Sequence, residues 1–225
     1  MTKESIIHRI TEEKIIVIVR GIKCEAVIPL AEAMYAGGIR ALELTYDASD
    51  PDGDAQNAEQ IRKLTEHFGD RMMIGAGTVL TTRQVERTKE AGGKFIISPN
   101  VNKKVIHRSF KLDLVSIPGA LTATEAVKAY EAGADFVKLF PITSLGSSYV
   151  KAMRAPLSHI RFLGVGGIDE TNMKEYMEAG VCGFGIGSNI VNKKLIEAGD
   201  FEGVTELARR YTSQIAIVSK SKEGN

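Results

Sequence analysis

The side chains best suited to chemistry are a lysine and a glutamate, each set in a short apolar run. Lys138 stands in Ala-Asp-Phe-Val-Lys-Leu-Phe-Pro at 134–141, and Glu43 stands in Leu-Glu-Leu-Thr at 42–45. Burial lowers the pKa of a lysine, and a neutral amine can form a Schiff base with a keto group. A carboxylate nearby can act as general base and acid. The alternatives are a lysine that reaches solvent or pairs with a carboxylate, and a glutamate that only neutralises a buried cation.

Anion-binding groups follow other apolar runs. Arg20 ends Ile-Val-Arg at 18–20, where its guanidinium suits a carboxylate or a phosphate, although an ordinary surface arginine is the alternative. The glycine-rich segments 164–167 and 185–188 come near the end of the chain and offer backbone N–H groups to a phosphate. Glycines that serve only tight turns are the alternative there. Thr78, after Gly-Ala-Gly at 75–77, offers a hydroxyl.

Other site types have little support in the sequence. The Gly-rich segment 75–80 lacks the full dinucleotide fingerprint, so a nicotinamide site is not expected. We expect no metal and no other cofactor, because none of the four histidines ends a predicted strand and the two cysteines have no metal or redox spacing. The acidic residues between 47 and 54 fit a solvated loop better than a calcium loop, because Ala55 stands where an EF-hand requires glycine.

These residues are carried by a repeating unit, in which an amphipathic helix ends in Ala-Gly and a β-branched run follows. The unit occurs at 36–39, 91–94, 132–135 and 179–182. A helix is predicted at 5–14 before the first strand, a last helix at 201–219 and a polar tail at 220–225. The predicted strands are Ile15–Arg20, Arg40–Leu44, Met72–Gly75, Lys94–Ser98, Leu112–Ile117, Asp135–Leu139, Arg161–Gly164 and Val181–Ile186. Eight alternating units predict an α/β fold, a (β/α)8 TIM barrel with an extra N-terminal helix.

Length and composition agree with a single barrel domain over residues 1–225. The formal net charge is +1, which gives no reason to expect nucleic acid or an anionic membrane as partner. No apolar run approaches the ~20 residues that span a bilayer, and the N-terminus has no secretory pattern. A cytosolic protein is therefore expected. Since active sites of this barrel lie at the carboxyl ends of the strands, we expect the residues that end the strands to form the site.

Several of these motifs together resemble the class I 2-keto-3-deoxy-6-phosphogluconate (KDPG) and 4-hydroxy-2-oxoglutarate aldolases. The motifs are Glu-Leu-Thr at 43–45, Gly-Ala-Gly-Thr-Val-Leu at 75–80, Ile-Ser-Pro-Asn at 97–100, Lys-Leu-Phe-Pro at 138–141, Gly-Gly at 166–167 and Gly-Ser at 187–188. The likeness runs in the family's order from about Ile15 to Ala208. It implies a metal-free aldolase that releases pyruvate from a 2-keto acid, and a homotrimer.

The resemblance also implies roles for individual residues. Lys138 would form the Schiff base and Glu43 would be the general base through a water. The residues implied to bind substrate are Arg20 and Thr78 at the carboxylate, Pro99 and Phe140 as pocket lining, Gly166, Gly167 and Ser188 at the phosphate, with Thr45 and Gly187 completing the set.

The chain departs from the family pattern at several points. Many members carry an arginine soon after Glu-x-Thr, where this chain has Tyr46-Asp47-Ala48, and Arg20 is the substitute we expect. Val165 stands where many members have threonine, and the loop Tyr46–Gln60 is longer than usual and is expected to overhang the mouth of the barrel. The galactonate epimer and 4-hydroxy-2-oxoglutarate therefore stay open as substrates. Two other classes also stay open: a phosphate-binding barrel isomerase or synthase, and a non-catalytic phosphosugar-binding protein.

Overall fold

Strands and helices alternate along the chain in a computed structural model that describes residues 1–223. The strands are β1 Ile15–Val19, β2 Ala41–Thr45, β3 Met73–Gly77, β4 Phe95–Ile97, β5 Val115–Ile117, β6 Gly119–Ala120, β7 Val137–Leu139, β8 Phe162–Val165 and β9 Gly183–Ile186. The helices are α1 Lys3–Glu13, α2 Val27–Ala36, α3 Asp54–Phe68, α4 Thr82–Glu90, α5 Lys103–Lys111, α6 Ala123–Glu131, α7 Gly146–Arg154, α8 Met173–Ala179, α9 Lys193–Glu197 and α10 Phe201–Glu223. Short 3-10 turns at Cys24–Ala26 and Pro51–Gly53 precede α2 and α3.

The strands form one sheet of parallel neighbours, in the order β5-β4-β3-β2-β1-β9-β8-β7-β6. Its two ends, β5 and β6, are separated in the chain by Pro118 alone, so the sheet curls into a nearly closed barrel. The predicted (β/α)8 barrel is confirmed, with its fifth strand in two pieces. Proline has no N–H to give to a ladder, which accounts for a break at that position.

The fifth strand also begins later than the sequence predicts. The sequence predicts a strand from Leu112, yet Leu112 caps the end of α5 and Asp113 has φ 55°, in the left-handed region. The strand starts at Val115 because the chain must first turn away from the helix.

Helix ends follow the sequence signals. Thr81 with Gln84, and Thr122 with Glu125, form complete capping boxes at the starts of α4 and α6. Pro29 lies in the first turn of α2, where its missing N–H costs no helical hydrogen bond. In each of the four Ala-Gly units one glycine has positive φ, from 84° to 109°, as helix termination requires.

The predicted terminal helices differ from the observed ones. The first runs over Lys3–Glu13, and Lys14 leaves it with φ 60°. The last continues through Glu223, four residues beyond the prediction and into the predicted tail 220–225, of which the final two residues lie outside the described residues. Over residues 1–223 no helix is long and apolar enough to span a membrane.

Two apolar layers hold the barrel. Side chains that point outward from the strands, such as Val17 and Leu42, pack against the helices. Side chains that point inward, such as Phe95 and Leu163, fill the lower interior, and Ile6 and Ile10 of α1 close that end. Because side chains alternate along a strand, the inward series continues toward the carboxyl ends. Glu43 and Lys138 lie on that continuation.

Candidate active site

Strand register brings Glu43 and Lys138 into the barrel interior. Ala41 on β2 and Phe136 just before β7 both belong to the inner layer, and Glu43 and Lys138 lie two residues further on, on the same faces. Their strands stand across the barrel from each other, with three strands between them on either side when the two pieces of the fifth are counted as one. Both residues therefore point into one chamber above the apolar interior.

Glu43 is 2% exposed, and Thr45 Oγ1 donates a hydrogen bond to its Oε1 atom over 3.3 Å. Its Oε2 atom is buried and makes no hydrogen bond with any residue in 1–223. Burial raises the pKa of the Glu43 carboxyl, while Lys138, Thr45 and Arg20 lower it in part. A buried carboxylate oxygen without a partner can take a proton from a bound substrate or water.

Lys138 is 9% exposed, so it does not reach solvent as a surface lysine would. Burial lowers its pKa, the Glu43 carboxylate raises it in part, and the Arg20 guanidinium lowers it further. Its Nζ atom lies 4.9 Å from the centre of the Phe140 ring, and Phe140 is exposed at the mouth. The amine therefore has a larger neutral fraction than an exposed lysine, which a Schiff-base nucleophile needs.

Arg20 and Thr78 are joined by a hydrogen bond at the rim of the chamber. Arg20 Nη2 donates to Thr78 Oγ1 over 3.1 Å. Thr78 has φ 53°, which is rare for a β-branched residue and costs of order 1–3 kcal/mol. Arg20 therefore has a hydrogen-bond partner although its side chain is exposed. The guanidinium and the hydroxyl together can bind an anion.

The remaining candidates lie at the same end of the barrel. The Pro99 carbonyl packs against Gly119, which is the register partner of Lys138. Gly166 lies beside the Phe140 ring, and a β-carbon there would come within 3.2 Å of it. Gly187 and the exposed Ser188 follow β9. They share the strand-end location with Lys138.

The loop after β8 is held by hydrogen bonds from Thr143 and Asn172, two residues that the sequence analysis does not single out. Thr143 Oγ1 donates to the Gly166 carbonyl over 2.9 Å, and Asn172 Nδ2 donates to the Gly167 carbonyl over 2.9 Å. A β-carbon at Gly167 would overlap the Thr143 side chain. Both glycines have positive φ, so the loop conformation depends on them. Thr143 comes two residues after the Lys-Leu-Phe-Pro motif at 138–141, so its position in the sequence alone could have identified it as a candidate.

The acidic segment differs from the expected solvated loop in one residue. Asp47, Asp50 and Asp52 are exposed, but Asp54 is 8% exposed and lies 3.6 Å from the Arg87 guanidinium. The loop is also shorter than Tyr46–Gln60, because α3 begins at Asp54. Within residues 1–223 no group of three or more His, Cys, Asp or Glu side chains could hold a metal ion.

Comparison with known proteins agrees with this geometry. A family model described as KDPG and KHG aldolase matches residues 6–207. A probable 2-dehydro-3-deoxy-6-phosphogalactonate aldolase of Rhizobium meliloti is 37% identical over 190 residues, covering 84% of this chain and 86% of the relative. A 2-dehydro-3-deoxy-phosphogluconate aldolase of Treponema pallidum is 33% identical over 218 residues, covering 95% and 99%.

Solved structures that resemble this chain carry names of the same family. A native KDPGal structure superposes with a TM-score of 0.82 at 30% identity, covering 92% of this chain and 96% of that one. A KDPG aldolase of Legionella pneumophila, with pyruvate captured as a covalent carbinolamine, superposes with a TM-score of 0.81 at 28% identity, covering 93% and 97%. The chain belongs to the KDPG and KHG aldolase family, and an aldolase is a carbon–carbon lyase.

Proposed function

We propose that this protein is a Schiff-base aldolase that cleaves a 2-keto-3-deoxy-6-phospho sugar acid to pyruvate and glyceraldehyde 3-phosphate. The observation that carries the proposal is the burial of Lys138 and Glu43 in one chamber at the carboxyl ends of the strands. The Legionella relative, with pyruvate held as a carbinolamine, supports the same chemistry. In the isomerase or synthase alternative, Lys138 would be only an electrostatic contact, and trapping of an imine on Lys138 distinguishes the two.

The reaction begins with the neutral Lys138 amine, which attacks the C2 carbonyl of the substrate. The carbinolamine loses water, and an iminium joins C2 to the lysine nitrogen. Glu43 then accepts the proton of the C4 hydroxyl through a water, the C3–C4 bond breaks, and its electron pair moves toward the iminium nitrogen. The enamine takes a proton at C3, and hydrolysis returns pyruvate and free Lys138. The iminium is needed because it accepts electrons that would otherwise form a carbanion.

The ends of the substrate are held by different elements. Arg20 and Thr78 at the rim bind the carboxylate, and the phosphate lies against the loops after β8 and β9, at Gly166, Gly167, Gly187 and Ser188. Phe140 and Pro99 line the space between them, with Thr45 beside Glu43. This arrangement is supported by the polar strand ends of β1 and β3 and by the positive φ of Gly166 and Gly167.

The C4 epimers give the same two products, because C4 becomes the aldehyde carbon. Relatives of both names match the chain, at 37% identity for the phosphogalactonate aldolase and 33% for the phosphogluconate aldolase. The test is pyruvate release, measured with lactate dehydrogenase, from both epimers and from 4-hydroxy-2-oxoglutarate. Release from at least one phosphorylated epimer is expected. Release from neither, with protein shown to be folded, contradicts the proposal. Ligand-induced thermal stabilisation without turnover would instead indicate a binding protein.

Assembly and location follow from the resemblance and the sequence. We propose a homotrimer of single-domain barrels in the cytosol. Sedimentation velocity tests the assembly, and a species of one chain mass would contradict it. Cell fractionation tests the location.

A further inference from the structure

A small side cavity of about 190 Å³ adjoins the catalytic chamber on the side of α3. Arg20 and Thr45 line it, so it shares walls with the chamber, and the segment 46–60 forms its outer side. Thr45 is the residue that donates to Glu43, and Arg20 is the one that donates to Thr78. A group bound in the side cavity therefore lies next to the reacting end of a substrate.

The first turns of α3 form a fixed wall of this cavity. Gln84 Nε2 on α4 donates to Asp54 Oδ1 over 3.1 Å, and Arg87 lies 3.6 Å from Asp54 Oδ2. Two turns along, Gln60 Nε2 donates to the Ile22 carbonyl over 3.0 Å, which ties α3 to the segment after Arg20. Asn57 lies between these two attachments, so its position is set by contacts on both sides.

Asn57 is exceptional among the polar residues of the wall. Its Nδ2 atom is buried, yet it donates to no residue in the described part of the chain. Gln60, one turn further along the same helix, has its amide satisfied by Ile22. A buried donor without a partner is unfavourable in the free protein, and a bound acceptor removes the penalty. The Nδ2 donor of Asn57 therefore holds no other described residue in place and is suited to bind a ligand.

The charges of the side cavity decide which acceptor fits. Its cation is Arg20, whose guanidinium lies close enough to Asp47 to help the Ser49 hydrogen bonds lower the pKa of that carboxyl. Asp47 and Asp50 lie on the exposed rim, and both are occupied within their own loop: Asp47 Oδ1 accepts from the N–H and hydroxyl of Ser49 at 2.9 and 2.6 Å, and Asp50 Oδ1 accepts from the Gly53 N–H at 3.1 Å. A small anion in the cavity can accept from Arg20 and Asn57 together, because the carboxylates of Asp47 and Asp50 already have hydrogen-bond partners within their own loop.

We propose that Asn57 is a substrate-binding residue, whose amide donates a hydrogen bond to the carboxylate of the 2-oxo acid beside the Arg20 guanidinium. The inference rests on the proposed function, because it takes the Schiff-base substrate as the ligand. Recognition of the carboxylate then involves a residue on α3 as well as Arg20 and Thr78, which follow strands β1 and β3. The wall comes from the segment in which this chain departs from its family's pattern.

The test compares trapping by borohydride of two ketones on Lys138. Pyruvate carries the carboxylate, and hydroxyacetone replaces it with a neutral hydroxymethyl group. The variants are Asn57→Leu, which keeps the branched shape of the side chain but donates no hydrogen bond, and Asn57→Asp, which replaces the donor by a negative charge. Glu66→Leu, an exposed position near the other end of α3, is the matched control. Half-saturating ketone concentration is read by mass spectrometry of the reduced adduct.

For pyruvate, Asn57→Leu is expected to raise the half-saturating concentration about 10- to 100-fold, the range for a hydrogen bond to a charged group. Asn57→Asp should raise it further, and hydroxyacetone should change less than about twofold in the Leu variant. Trapping of hydroxyacetone also shows that the variant's site is folded. Equal changes for both ketones, or no change for pyruvate, would overturn the role of Asn57 while leaving the aldolase intact. Wild-type protein that traps neither ketone would overturn the proposed function and this inference with it.

Discussion

Gly77 makes room for Glu43: a β-carbon at position 77 would overlap the Glu43 carboxyl group. The two residues belong to paired strands, since β2 and β3 run side by side in register. Gly77 has no unusual backbone angle, so the absence of a side chain is the property that the site uses. The carboxylate proposed as the base is thus placed by a neighbouring strand as well as by its own.

Gly77→Ala is therefore expected to displace Glu43 and to lower kcat/KM by about 10²- to 10⁴-fold, the range for loss of a general base. Circular dichroism should remain that of the wild type. Gly133→Ala is the control, because a β-carbon there meets no atom within 4 Å, although φ 96° makes alanine cost about 1–2 kcal/mol. It should retain activity at reduced stability. Full activity in Gly77→Ala would show that Glu43 is not the base.

The pH dependence of imine formation should reveal the charges around Lys138. Only the neutral amine attacks, and burial lowers its pKa, so the midpoint should lie below the usual lysine value of about 10.4. The Glu43 carboxylate stabilises the ammonium form, so Glu43→Gln should move the midpoint to lower pH. The Arg20 cation destabilises that form, so Arg20→Met should move it to higher pH. Borohydride quenching at a series of pH values measures both shifts.

The opposite signs make that pH experiment specific. A general loosening of the site would move both variants in one direction, toward the value of an exposed lysine. Shifts of the same sign would therefore contradict the placement of Glu43 and Arg20 around the amine. The rate at high pH falls in Glu43→Gln in either case, so the midpoint and not the amplitude is the readout.

Ser188 is expected to contribute to the binding of phosphorylated substrates alone. Ser188→Ala should raise KM for the 6-phospho sugar acid by about tenfold or more and leave KM for the unphosphorylated sugar acid within about twofold, since a hydrogen bond to a charged group is lost. Ser213→Ala, an exposed serine on α10, is the control. Steady-state pyruvate release with both substrates makes the comparison. Equal effects would remove the phosphate role.

Asp54 should matter for stability more than its acidic neighbours. Asp54→Ala leaves the Gln84 amide and the Arg87 guanidinium without their partner, which should lower the free energy of unfolding by about 1–3 kcal/mol. Asp52→Ala, at an exposed position in the same segment, should change it by no more than about 0.5 kcal/mol. Urea unfolding measures both. Equal losses would mean that the α3–α4 attachment contributes nothing.

The sequence predicted much of the barrel because its strands are buried on both faces. Runs such as Ile15–Val19 are apolar throughout, and the Ala-Gly helix ends separate them clearly. The late start of the fifth strand was missed because Leu112 is apolar in either conformation, and only the left-handed turn at Asp113 ends the helix there. The hydrophobic pattern alone does not distinguish a strand that begins at Leu112 from a helix that ends there.

Candidate site residues could be predicted from the sequence where one residue contrasts with its neighbours, and not where no such contrast exists. Lys138 and Glu43 are charged residues in apolar runs, and their strand positions place them in one chamber. Asp54 lies among similar acidic residues, and its burial depends on Arg87, 33 positions away along the chain. Asn57, the substrate-binding residue proposed above, has no distinguishing sequence pattern, because what singles it out is a buried amide nitrogen without a hydrogen-bond partner in residues 1–223. Such residues are found from packing.

The most direct test of the account is to incubate the protein with pyruvate, reduce it with borohydride and map the adduct by peptide mass spectrometry. The account predicts one carboxyethylated lysine, Lys138, and no adduct in Lys138→Ala. The absence of an adduct from folded protein, or an adduct confined to another lysine, would contradict the Schiff-base role of Lys138 and with it the proposed aldolase mechanism.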